Sequence, residues 1–137
     1  MNYKNQQYAR HEPLIKEGSI FDGVSGGGIF MGKSRTFVLQ KPDENLYAPI
    51  REKVKVYFAE NGIDWWRGNG PSGHTLSSQI ACLNLLVPIM NDAQAVLSMI
   101  NGIRNVFTEV LPISCDKHPN YISIEVVSDS DYLNEKS

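Results

Sequence analysis

Residues 27–34, which include Lys33 and Ser34, match the pattern G-x-x-x-x-G-K-[ST], which wraps phosphate groups in many nucleotide-binding proteins. That function requires a buried strand before the loop and a helix after it, because the helix N-terminus faces the anion. Here bulky side chains occupy residues 29–31, and a β-like run at 35–39 replaces the helix and stops before Pro42. We therefore predict a flexible glycine loop before an edge strand, and no bound nucleotide.

Histidine and cysteine offer little for a metal site. Cys115 and His118 could supply two ligands, but no matching pair occurs elsewhere, so the sequence lacks the spacing typical of a zinc site. His74 lies in a glycine-lined loop just before a helix. It could contact an anion or a phosphate, but a solvent-exposed loop imidazole is the more frequent case, and we expect that one.

Aromatic and basic side chains raise the question of nucleic-acid binding. Trp65 and Trp66 could stack on unpaired bases. Core packing is the preferred interpretation, in which one tryptophan fills the core and its neighbour covers the opposite face. Arg51, Lys53 and Lys55 could contact phosphates, yet a solvated helix face explains them without any ligand.

Glu125 has two interpretations that the residues alone leave open. It lies within residues 121–127, an alternating β-branched run that predicts a strand. If both faces of this strand are covered, the carboxylate needs a partner or a metal ion, because an unpaired buried charge is costly. If one face meets solvent, Glu125 simply points outward.

Helical periodicity predicts the elements that position these residues. Pro49 suits a first helical turn, and Asn61 with Gly62 suits a C-terminal cap. Thr75 and Asp92 are candidate N-caps. The predicted helices cover residues 47–61, 76–86 and 93–100, and the last one ends at Asn101-Gly102.

Length and composition fit one ordinary globular domain. The chain has 137 residues, 42% apolar and 20% charged, and a net charge of −2, which does not suggest a dedicated nucleic-acid-coating protein. We expect an irregular glycine-rich lead-in at 1–35, an α+β or α/β domain at 36–127 and a polar acidic tail at 128–137. No secretory signal or membrane-spanning run is present, so a soluble cytoplasmic chain is expected, with Cys82 a buried free thiol.

The segment 73–88 carries a family resemblance. Its Ser77-Ser78-Gln79, Cys82, Asn84 and Pro88 form an "SSQ…C…N…P" pattern. This pattern resembles a helix of bacterial restriction endonucleases of the PD-(D/E)XK nuclease superfamily. The order of elements around it is also similar, and the resemblance spans residues 36–135.

The resemblance implies a metal-dependent DNA nuclease with a small mixed sheet flanked by helices. Glu125 would be the catalytic acid and a ligand of Mg²⁺, which orients water for attack on a phosphodiester. DNA contacts would come from His74, Ser77, Ser78 and Gln79. The superfamily's D/E-x-K on a second hydrophobic strand has no counterpart here, and 134–136 is a poor substitute. We therefore expect the N-terminal part of such an enzyme, inactive alone and completed by a C-terminal segment.

A different class of function stays open beside this one. The chain could be a small non-enzymatic binding or assembly module, whose Trp65-Trp66 strand and glycine-rich lead-in contact a protein partner. An open strand edge at 121–127 would suit such a contact.

Overall fold

A β-hairpin and helices build the part of the chain that the computed structural model describes, namely residues 2–17, 20–21, 25–113 and 119–124. Within these ranges the two strands pair antiparallel, and the predicted small α+β fold is confirmed. The elements, in chain order, are α1 (Tyr3–Glu17), β1 (Gly26–Phe30), β2 (Lys33–Leu39), α2 (Arg51–Asn61), α3 (Ser78–Leu86) and α4 (Ala93–Ile103).

The hairpin occupies the segment with the phosphate-loop pattern. Met31 and Gly32 connect its strands with φ values of 51° and 71°, a turn conformation that matches the twist of paired strands. β2 begins at Lys33, so a strand and not a helix follows the glycines, as predicted. The expected flexible loop is wrong, because the glycine segment is itself paired. Gly28 lies so close to β2 that a Cβ there would be 2.3 Å from the Leu39 carbonyl oxygen.

Helix α1 was not predicted, since the lead-in was expected to be irregular. Its sequence has no apolar repeat of 3.6 residues and contains Pro13. Tertiary contacts hold it on the hairpin instead: the Tyr8 ring stacks on the Phe37 ring at 3.8 Å, and Ile15 packs against Leu39. The division of the chain at residue 35 stays a prediction.

The main core lies between α2 and α3. One apolar face of each helix is buried there, and Gly62 closes α2 at φ 65° as expected. Trp65 packs at the edge of this core with its ring 4.3 Å from Phe58. The core side chains are Leu46, Ile50, Val54, Tyr57, Phe58, Ile63, Ile80, Leu83, Val87, Met90 and Ile124.

Helix ends differ from prediction at three places. Helix α2 begins at Arg51 and not at residue 47. Ser77, and not Thr75, is the N-cap of α3, because the Thr75 hydroxyl donates instead to the Phe37 carbonyl at 2.9 Å. Asp92 caps α4 as predicted, accepting from Gln94 and Ala95, but the helix continues through Gly102.

Two further expectations differ from the structure, and others concern residues outside the described ranges. Cys82 is exposed, because the buried face of α3 carries Ile80 and Leu83. Residues 121–124 form bends and not a strand, although Ile124 is buried in the core. Residues 125–127, which include Glu125, lie outside the described residues, as do Cys115 and His118. Within the described ranges, no helix is both long and apolar enough to cross a membrane.

Candidate nucleic-acid interface

Trp66 and Arg67 are the two central residues of a tight turn. Trp65 and Gly68 close it through an antiparallel bridge. Arg67 adopts φ 61°, a left-handed conformation that glycine normally occupies and that costs other residues about 1–2 kcal/mol. The turn therefore holds a strained arginine beside an exposed tryptophan.

Gln79, from the family-like Ser-Ser-Gln segment, holds this turn in place. Its Oε1 accepts a hydrogen bond from the Trp66 backbone N–H at 3.0 Å, and its Nε2 donates to the Asp64 carbonyl at 3.1 Å. Both ends of the amide are hydrogen-bonded to the backbone at Asp64 and Trp66, so Gln79 fixes the position of the turn. A role in positioning Trp66 was not predicted from the sequence.

Two serines precede Gln79 at the start of α3. Ser77 is buried, and its hydroxyl accepts from the Ile80 N–H at 3.4 Å, which fixes the first turn of the helix. Ser78 is exposed. Ser77, Ser78 and Gln79 line one wall of a cleft of about 770 Å³, and Trp66 and Arg67 line the other. The structure thus brings three of the four predicted DNA-contacting residues together.

His74, the fourth, is buried and not solvent-exposed as expected. The segment around it pairs with β2, where the Leu39 N–H donates to the Gly73 carbonyl at 2.8 Å. The His74 ring lies 4.8 Å from the Phe30 ring and 6.3 Å from the Trp66 ring, in edge-to-face contacts. A neighbouring strand and ring contacts, neither visible in local sequence, therefore remove this imidazole from solvent.

The environment of His74 favours its neutral form. Burial lowers the pKa of His74, and the positive charge of Lys4 lowers it further. The Leu76 N–H donates to His74 Nδ1 at 3.2 Å, so this nitrogen carries no proton. The neutral imidazole therefore packs against the Phe30 and Trp66 rings without placing a charge among them.

A second cleft, which we call the aromatic cleft, lies on the other side of the Trp66–Arg67 turn. It encloses about 1020 Å³ between the hairpin tip at residues 29–31, the segment 40–44 and the glycine-rich loop 66–73. The Phe30 and Trp66 rings stack with centroids 5.9 Å apart. The Arg67 guanidinium carbon lies 5.0 Å from the Trp66 ring and 5.7 Å from the Phe30 ring.

The acidic side chains of the aromatic cleft are neutralised by α2. Glu44 pairs with Arg51 at 2.6 Å, and Asp43 pairs with Lys55 at 2.8 Å. These ion pairs engage Arg51 and Lys55, two of the three α2 cations that were considered as phosphate contacts.

Two cations of the aromatic cleft are left for a ligand. Within the structurally described ranges, neither Lys41 nor Arg67 has a carboxylate within ion-pair distance. The local charge available to a ligand is therefore positive, although the chain as a whole has a net charge of −2.

Asn84, the "N" of the family-like pattern, hydrogen-bonds to the backbone of the segment before α2. Its Nδ2 donates to the Asn45 carbonyl at 2.9 Å, and its Oδ1 accepts from the Tyr47 N–H at 2.8 Å. Asn45 in turn donates to the Ser72 and His74 carbonyls at 2.8 and 3.0 Å. This network links α3 to the loop that borders the aromatic cleft.

A metal centre is not assembled by the residues placed in the structure. In the ranges 2–17, 20–21, 25–113 and 119–124, no three His, Cys, Asp or Glu side chains cluster closely enough to hold a metal ion. The expected ligand, Glu125, lies outside those ranges.

Comparison with known families decides the relationship of the chain. A family model described as "Restriction Endonuclease associating with ARP" matches residues 2–136. The chain belongs to this family. The resemblance to restriction endonucleases is confirmed at that level, whereas the PD-(D/E)XK assignment stays a prediction. No curated protein and no solved structure matches the chain.

Proposed function

We propose that the chain is the DNA-engaging, N-terminal portion of a restriction-endonuclease-like, metal-dependent DNA nuclease. Alone it binds DNA without cutting it, and catalysis requires acidic residues and a lysine that another segment or chain supplies. Membership of a restriction-endonuclease family over residues 2–136 is the observation that carries this proposal.

The cleft between α3 and the Trp66–Arg67 turn supports a DNA contact. Ser78 presents a hydroxyl at the exposed start of α3, where backbone N–H groups also favour a phosphate. Arg67 lines the opposite wall. Gln79 contributes by holding the turn, and Ser77 by fixing the helix start. His74 contributes indirectly, through its ring contacts with Trp66.

A protein partner forms part of the proposal, because the family description names an association with ARP. Association with a partner and participation in a nuclease are compatible, since the partner can supply groups that this sequence lacks. A purely structural assembly module would instead associate with the partner without binding DNA.

Magnesium is the cofactor that the restriction-endonuclease resemblance implies, and Glu125 is its proposed ligand. Mg²⁺ would supply charge stabilisation and an activated water when bound. The described residues form no metal cluster, so the remaining ligands would come from groups outside them.

Nicking of supercoiled plasmid tests the nuclease assignment. The purified chain should leave plasmid intact in Mg²⁺, whereas the complex recovered with its natural partner should nick it and lose activity in EDTA. Glu125→Ala should abolish nicking by the complex, and Glu109→Ala, an exposed glutamate outside both clefts, should not. Nicking that survives Glu125→Ala would remove Glu125 as a ligand, and a complex that neither binds nor cuts DNA would refute the function.

A further inference from the structure

We propose that the aromatic cleft binds unpaired DNA, with a base stacked on Trp66 and the adjoining phosphates contacted by Arg67 and Lys41. This inference rests on the proposed function for the identity of the ligand as DNA. The cleft is separate from the groove lined by Ser77, Ser78 and Gln79, with which it shares only the Trp66–Arg67 turn.

Exposed apolar side chains mark the aromatic cleft as a binding surface. Trp66 is 41% exposed, and Ile29 and Met31 at the hairpin tip are 69% and 71% exposed. Contiguous exposed apolar groups around a concave surface usually indicate a ligand or partner. Because these three side chains border one cavity, their exposure is concentrated where a flat aromatic ligand could enter.

The Trp66 ring is held in place as a stacking platform. One face contacts Phe30, the His74 ring meets it edge-on, and Gln79 fixes its backbone. A ring that is already ordered loses little conformational entropy when a base stacks on it. Base stacking on aromatic side chains is tolerant of sequence, because every base presents a π-face.

Arg67 combines a strained backbone with a guanidinium that has no polar partner. Its φ is 61°, its guanidinium lies near the Trp66 and Phe30 rings, and within the described residues these cation–π contacts are the only interactions of its side chain. Its N–H donors therefore have no acceptor within the described part of the chain, which leaves the planar fork available for a phosphate. Strained backbone of this kind concentrates at ligand-binding sites.

Unpaired positive charge beside exposed aromatic rings favours single-stranded nucleic acid over a duplex or a peptide with few acidic residues. Lys41 and Arg67 supply unpaired positive charge, while Asp43 and Glu44 are neutralised by α2. A duplex keeps its bases stacked inside, so they cannot reach Trp66 unless they are unpaired. Aromatic rings beside a cationic groove are the usual features of single-strand binding.

Fluorescence anisotropy of a labelled oligo-dT tests the inference with the full chain. We expect salt-sensitive binding that Trp66→Ala weakens about tenfold or more, because stacking on one aromatic residue contributes about that much. Trp66→Phe should retain most of the affinity. Arg67→Ala should weaken binding and flatten its salt dependence, whereas Arg104→Ala, an exposed arginine outside both clefts, should change neither.

Tryptophan emission gives a direct signature of stacking. Trp65 and Trp66 are the two tryptophans, so Trp65→Phe leaves Trp66 as the sole indole, with circular dichroism used to confirm the fold. Oligo-dT should quench that emission. Absence of quenching, or oligo-dT affinity unchanged by Trp66→Ala, would overturn the inference and direct attention to a peptide ligand.

A matched labelled duplex separates this inference from the proposed function. Duplex binding without oligo-dT binding would overturn the single-strand site and leave the nuclease proposal standing. Trp66-dependent binding of oligo-dT, with no duplex binding and no nicking by the complex, would support the site and contradict the nuclease. Loss of all DNA binding would refute both.

Discussion

The Gln79 side chain holds the backbone of Trp66, accepting its N–H at 3.0 Å while donating to the Asp64 carbonyl at 3.1 Å. A residue of the Ser-Ser-Gln segment thereby sets the position of the aromatic turn that borders both clefts. This relationship joins the family-like pattern to the surface that we propose contacts DNA.

Replacing Gln79 should separate positioning from folding. Gln79→Ala removes two partly exposed hydrogen bonds, each with a net contribution of about 0.5–1.5 kcal/mol, so the free energy of unfolding should fall modestly. Affinity for duplex DNA should fall more clearly, because the Trp66–Arg67 turn loses the hydrogen bonds that hold it. Urea unfolding and DNA-binding anisotropy measure the two effects. Gln94→Ala, at an exposed position of α4, is the matched control and should alter neither.

Asn84 should matter mainly for stability. Asn84→Ala leaves the Asn45 carbonyl and the Tyr47 N–H without their partner, and we expect a loss of about 1–3 kcal/mol in the free energy of unfolding. Asn69→Ala, in the exposed glycine-rich loop, should cost little. Equal urea midpoints for the two variants would contradict the structural role of Asn84.

The neutral state of His74 predicts a loss of stability in mild acid. Its pKa is lowered in the folded state by burial and by Lys4, whereas the unfolded chain binds a proton near the ordinary value of 6.5. Between the lowered pKa and 6.5 the unfolded state therefore holds more protons, and stability falls as pH drops through this window.

Chemical unfolding across that pH range checks the prediction. His74→Gln should flatten the profile. His11, whose pKa burial also lowers, should contribute in the same direction, so His11→Gln serves as the comparison. A profile that His74→Gln leaves unchanged would show that His74 is not the responsible group.

Arg67 should show a conflict between stability and binding. Arg67→Gly relieves about 1–2 kcal/mol of left-handed strain, offset by the flexibility of glycine and by lost cation–π contact. Its stability should stay within about 1 kcal/mol of the parent chain. Arg67→Ala keeps the strain and loses the contact, so it should be less stable than Arg67→Gly. Both variants should bind DNA more weakly, and a lower melting temperature for Arg67→Gly than for Arg67→Ala would contradict the strain argument.

Local patterns predicted the helical core but not the contacts that build the site. The buried faces of α2 and α3 follow the 3.6-residue period, and Gly62 and Asp92 have the expected capping roles. Helix α1 escaped prediction because its stability comes from Tyr8 and Ile15 on the hairpin, which the local sequence does not encode.

In the candidate site too, the sequence indicated some of the residues but not the tertiary contacts between them. The Ser-Ser-Gln segment was identified from its resemblance, but its link to Trp66 spans a turn and a helix start. Arg67 was not predicted as a site residue, because an arginine gives no local signal of the left-handed backbone that it adopts here. His74 was expected in solvent because its pairing with β2 arises only in the folded chain.

Binding of labelled duplex DNA by the purified chain is the most direct test of the proposed DNA contact. We expect binding at low salt that weakens as salt rises, with a log–log slope of about 0.9 for each phosphate contacted. Gln79→Ala and Arg67→Ala should weaken this binding, while Gln94→Ala and Arg104→Ala should not. Absence of duplex binding at low salt, or full affinity in both Gln79→Ala and Arg67→Ala, would contradict the proposed DNA contact.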